Sequence, residues 1–194
     1  MVSKDLDLVR RVTANYFFWQ GLRFVPFGLV GFAIAATYAP WWPTGVPVEP
    51  ALLASLALAF LGSVAADRYY AAAFGRVVDR TVDHRLRSRA KWFVAYPLMG
   101  GSLVVDAVVA GPVFLSGPVY AAALLAYWWS TGRGRPHYLP LAAATALLGL
   151  LPLLAPSLRG EALFPLFFAW LGLLYVVGGL LDHVALRRVM AAHG

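Results

Sequence analysis

Two charged side chains lie inside long apolar stretches of this chain. Arg23 follows Gln20 and precedes Pro26, and Asp106 sits four residues after Ser102, beyond the pair Gly100-Gly101. An ionisable group inside a membrane segment is costly, so each is a default candidate for substrate or proton coupling. Measured along a helix from Trp92, Asp106 lies about 21 Å deep, too far for its short side chain to reach water. It needs a proton, a hydrogen bond from a neighbouring helix, or a polar cavity. A hydrogen-bonding or packing role ranks ahead of coupling, because the adjacent glycines permit close helix approach. By the same ruler Arg23 is about 9 Å deep, where a long stem brings its guanidinium to the interface. The axial gap between the two disfavours a direct pair.

A second pattern is the dipeptide Asp-His, present as Asp83-His84 and again as Asp182-His183. If the copies met, His84, His183, Asp83 and Asp182 would offer nitrogen and oxygen ligands for zinc or another divalent metal. Adjacent helical residues diverge by about 100°, however, whereas helical ligand pairs use spacings of three or four. The local match around the dipeptides, Val77-Val78 with Val82 against Val176-Val177 with Leu181, does not extend to successive halves of the chain. An intramembrane metal enzyme is therefore the last-ranked reading, and no cofactor is expected.

Other chemistries lack their residues. There is no cysteine, so thiolate catalysis, disulfides and thiolate metal sites are excluded. No glycine-rich phosphate loop, His-Glu-x-x-His, Gly-x-Ser-x-Gly or nucleotide fingerprint is present. The net charge of +7 belongs to no recognisable nucleic-acid module, and nucleic acid is not an expected partner.

The elements that must position these residues are apolar helices. Of the 194 residues 61% are hydrophobic and 13% charged, and the mean hydropathy is +0.70; an ordinary soluble domain is about half apolar and a quarter charged. The expected fold is an all-α polytopic transmembrane bundle forming one domain, with six spans near residues 17–38, 51–70, 92–111, 113–131, 138–156 and 163–182. Six spans require a turn in the nearly charge-free stretch from Trp92 to Trp129, at Ala110-Gly111-Pro112 or Ser116-Gly117-Pro118.

Loop charge sets orientation, because Lys and Arg stay on the cytoplasmic side. All of the 16 basic residues except Arg23 and Arg159 fall at the termini or in the loops after spans two and four. Both termini are therefore expected in the cytoplasm, and the first span lacks the order of a cleavable signal. Trp41 and Trp42 mark an outer boundary, while Trp92, Tyr127-Trp128-Trp129 and Tyr138 mark inner ones. Residues 67–91 contain no proline and read as a helical cytoplasmic extension of span two, with Tyr70, Phe74, Val77, Val78 and Val82 on one arc. Arg76, Arg80, His84, Arg87 and Lys91 fall opposite, a basic face suited to the anionic inner leaflet or to a protein partner.

Small residues at helical spacing, such as Gly28 with Gly31 and Gly172 with Gly179, predict close packing within the bundle or in a homo-oligomer. The first functional reading is a non-catalytic accessory or interaction subunit of the plasma membrane, of the prokaryotic cytoplasmic type, contacting lipid and another membrane or cytoplasmic protein. The alternative is a small transporter or substrate-capture subunit with Asp106 in a cavity. In length and span number alone the chain is similar to the substrate-binding subunits of energy-coupling-factor vitamin importers.

Overall fold

The computed structural model describes residues 20–39, 42, 47–74, 82–130 and 135–191, the helix over 82–92 by its backbone only. These residues form six α-helices and no strand: α1 (Val25–Thr37), α2 (Val48–Phe74), α3 (Val82–Val108), α4 (Ser116–Ser130), α5 (Tyr138–Leu154) and α6 (Phe164–Ala191). Short 3-10 turns occupy Gly21–Arg23, Pro156–Leu158 and Gly160–Leu163. Two helical runs, Val48–Phe74 and Gly160–Ala191, are long and apolar enough to cross a membrane. Gly21–Thr37, Phe93–Val108 and Tyr138–Leu154 are apolar but shorter.

Proline sets most of these boundaries. Pro26, Pro118, Pro140 and Pro165 fall in first turns, where the missing N–H has no intrahelical partner to lose. Helix α5 stops because Ala155 precedes Pro156, whose ring disfavours the helical region for it; Ala155 adopts φ −130° and ψ 86°. Pro97 lies inside α3 and offers no N–H to the Phe93 carbonyl. Helices α4 and α5, 15 and 17 residues long, extend about 22 and 26 Å, somewhat less than a hydrocarbon core of about 30 Å.

The turn expected in the stretch from Trp92 to Trp129 is present. Helix α3 ends at Val108 and α4 begins at Ser116, so Ala110-Gly111-Pro112 lies in the connection while Ser116-Gly117-Pro118 opens the next helix. The stretch 67–91 divides differently from expectation. Helix α2 is described to Phe74, and 82–91 is the leading part of the helix that carries Asp106.

The chain divides into two compact units, residues 1–78 with 168–194, and residues 79–167. In the first, α1 runs antiparallel to both α2 and the later part of α6. Leu22 meets Tyr70 and Pro26 meets Gly62, while Gly21 faces Gly179 and Gly28 faces Gly172. A Cβ on Gly28 would stand 2.7 Å from the Gly172 carbonyl oxygen, and one on Gly172 2.8 Å from the Gly28 oxygen. The predicted small residues thus meet across the helix pair, backbone on backbone. Ala59 and Tyr70 on α2 and Leu171, Leu174 and Leu186 on α6 are buried.

In the second unit α4 and α5 form an antiparallel hairpin. A Cβ on Gly117 would run into the Cα of Gly149, and the Phe114 N–H bonds the Gly149 carbonyl at 2.8 Å. The buried stripe on α5 is Ala142, Thr145, Gly149 and Pro152, the three- and four-residue spacing of one helix face. Phe114, Phe164 and Phe167 close the core with ring centroids 5.0 and 5.6 Å from Phe114.

Candidate functional site

Asp106 sits on the last turns of α3 and is 3% exposed. Its Oδ1 accepts the Leu115 N–H at 2.7 Å, and its Oδ2 accepts the Ser116 N–H at 2.7 Å and the Ser116 hydroxyl at 2.6 Å. A helix begins with N–H groups that have no intrahelical acceptor and with the positive end of its dipole. Asp106 supplies both the acceptor and the opposing charge for α4 from another helix. Gly160 closes over the same end of α3: its φ is 61°, a conformation that favours glycine, and a Cβ there would lie 3.2 Å from the Ala110 Cβ. The carboxylate singled out by its place in an apolar stretch thus caps the start of the next helix.

Arg23 meets a carboxylate that the sequence did not single out. Its Nη1 stands 3.2 Å from Asp67 Oδ1 and donates to Gln20 Oε1 at 2.9 Å. Gln20 and Arg23 bracket the 3-10 turn that precedes α1, and Asp67 lies one turn before Tyr70 on α2.

Tyr70 is fully buried, and its hydroxyl accepts the Leu22 N–H at 3.2 Å and lies 3.0 Å from His183 Nδ1. That oxygen ties the 3-10 turn, α2 and α6 together at one end of the first unit. Tyr69 adds an edge-to-face contact with the same imidazole, centroids 5.9 Å apart. The neighbouring Asp182 is buried in the other direction, its Cβ 2.7 Å from where a Cβ on Gly21 would stand. His183 and Asp182 therefore diverge, as adjacent helical residues must.

No group of three or more His, Asp or Glu suited to a metal ion occurs among the described residues. The proposed partners Asp83 and His84 have side chains outside the described residues, as do Arg87 and Lys91; Arg76 and Arg80 lie outside them altogether.

Arg135 departs most from its reading as a loop charge that sets topology. It is 1% exposed, its Nη1 donates to the Tyr127 hydroxyl at 3.1 Å, and its guanidinium lies 4.7 and 5.3 Å from the ring centres of Tyr127 and Tyr138. The two rings pack edge to face at 5.1 Å. A planar, weakly hydrated guanidinium enters such an aromatic cage at a lower desolvation cost than the strongly hydrated ammonium of lysine. The available sequence signal was Arg135-Pro136 lying between aromatic helix ends, and Ser116-Gly117-Pro118 as a helix start ten residues beyond an acid.

The arrangement is a set of internal ties: a cap, an ion pair, a tyrosine junction and an arginine cage, each within one unit. No protein-family model, no curated protein and no solved structure matches the chain.

Proposed function

We propose that the chain is a six-span protein of the plasma membrane with both termini in the cytoplasm, acting as a non-catalytic accessory or interaction subunit. The observation that carries this reading is how polar groups in the apolar helices are used. Asp106, Arg23, Tyr70 and Arg135 direct hydrogen bonds into their own unit, while Leu53, Phe60 and Leu61 on α2 and Phe93, Val94 and Leu98 on α3 stay exposed. Apolar side chains left exposed on long apolar helices suit lipid or a membrane partner.

Chain direction within each unit supports the topology. The start of α1 and the ends of α2 and α6, all assigned to the inner side by their arginines, meet at Leu22, Tyr70 and His183. The end of α3, the start of α4 and the end of α5 meet around Asp106, Ser116 and Gly149, as an outer side would require. Because the chain has no native cysteine, the single variants Ser157→Cys and Gly194→Cys can be labelled in spheroplasts with an impermeant maleimide. The thiol introduced at position 157 should react and the one at position 194 should not; the reverse result removes the topology.

The interaction role is tested by affinity purification of the full chain in mild detergent. A stable partner should be recovered, and reversing the charges at Arg76, Arg80 and Arg87 should release it. A monomer without a partner would overturn the assignment.

A further inference from the structure

The tyrosine junction fixes the relative level of three helix ends, and with it the level of arginines that are not on the expected basic face. Helices α2 and α6 are each antiparallel to α1 and hence parallel to one another, with Tyr70 level with His183. Arg68 lies two residues before Tyr70, and Arg187 and Arg188 lie four and five after His183. At about 1.5 Å per residue these charges fall in a band about 10 Å deep. The headgroup layer on one side of a bilayer is of similar depth, about 5 to 8 Å.

All three arginines are exposed. Among the described residues, the acids beside them in sequence are committed elsewhere, because Asp67 is engaged by Arg23 and Asp182 is buried against Gly21. On the span side of Arg187 and Arg188, Tyr69 and Leu181 are exposed at about the level of Arg68, and Leu180 is exposed one residue deeper. Arg187 and Arg188 above, Arg68 with the Tyr69 phenol at the boundary, and aliphatic surface below is an order that suits a phospholipid from headgroup to acyl chain, the long stem of Arg68 lifting its guanidinium toward the headgroups.

We propose that Arg68, Arg187 and Arg188 form a binding surface for anionic phospholipid headgroups at the inner end of the first unit. The inference rests on the membrane reading above and places anionic lipid on residues separate from the basic face Arg76 to Lys91. The guanidinium fork pairs with a phosphodiester through parallel N–H bonds, and the tie at Tyr70 holds α2 and α6 in register so that both helices face the same leaflet.

The test is lipid retention by the full chain reconstituted in vesicles of phosphatidylcholine with about one fifth phosphatidylglycerol, near physiological surface charge. After extraction in neutral detergent, the ratio of co-purified phosphatidylglycerol to phosphatidylcholine should exceed that of the vesicle. Each of Arg68→Gln, Arg187→Gln and Arg188→Gln should reduce the enrichment by about fivefold, and Arg159→Gln should leave it unchanged. Enrichment equal to wild type in the triple variant overturns the proposal. If that variant does not fold, raising salt from about 0.05 to 0.5 M should abolish enrichment in wild type, and indifference to salt overturns it. Displacement by inorganic phosphate at low millimolar concentration would identify a small-anion site instead and equally overturn the lipid assignment. Failure of the chain to enter vesicles at all would be failure of the membrane reading, which is distinguishable from incorporation without enrichment.

Discussion

The carboxylate of Asp106 holds Ser116 by two bonds at once, the backbone N–H at 2.7 Å and the hydroxyl at 2.6 Å. One side chain near the end of α3 thereby caps the start of α4, ten residues later. Asp106→Ala should destabilise the chain by about 2 to 3 kcal/mol, since it leaves buried donors unmet and removes the cap. Asp106→Asn, which keeps one acceptor, should cost about half as much. Unfolding in detergent measures both. Loss of an uptake activity in Asp106→Asn without loss of stability would restore the coupling role.

The glycines divide into those that bear contact and those that do not. Gly172→Ala places a Cβ 2.8 Å from the Gly28 carbonyl oxygen and should cost about 1 to 3 kcal/mol, because backbone must move. Gly100→Ala meets nothing within 4 Å and should stabilise α3 by about 0.5 to 1 kcal/mol. Opposite shifts in melting temperature are expected.

Arg135→Lys keeps the charge but loses the planar fork between Tyr127 and Tyr138. A loss of about 1 to 2 kcal/mol is expected, comparable to the stacking it removes. Tyr127→Phe retains the ring and should cost about 1 kcal/mol through the lost hydroxyl. If Lys at position 135 matches wild type in thermal unfolding, the cage contributes nothing beyond a positive charge.

Two ties at the Tyr70 end of the first unit should differ in strength. Asp67 is more than half exposed, so its pair with Arg23 is screened, and Asp67→Asn should change stability by less than about 1 kcal/mol. Tyr70→Phe leaves the Leu22 N–H and the His183 ring nitrogen without their shared partner in a buried setting, and should cost about 1 to 3 kcal/mol. Parallel denaturation of the two variants checks the ranking.

What the sequence determined by itself is local in origin. Apolar content and the Gly and Pro punctuation place the helices and their ends, since hydrophobicity and proline sterics act on the residue that carries them and its immediate neighbours. The break after Val108 was legible for that reason, and so was the close approach at Gly28 and Gly172, because small residues at helical spacing have few other uses in apolar helices. Tertiary structure alone decided the partners. Leu22 and Tyr70 are 48 positions apart and Tyr70 and His183 113 apart, and no periodicity in the sequence pairs them. The same separation hid Asp67 from Arg23 and let Arg135 read as a loop charge, since a guanidinium beside aromatics in sequence has the same composition whether it faces water or is caged. Hydrogen bonds between distant residues depend on which helix faces pack together, and packing is set by the whole chain rather than by any one segment of it.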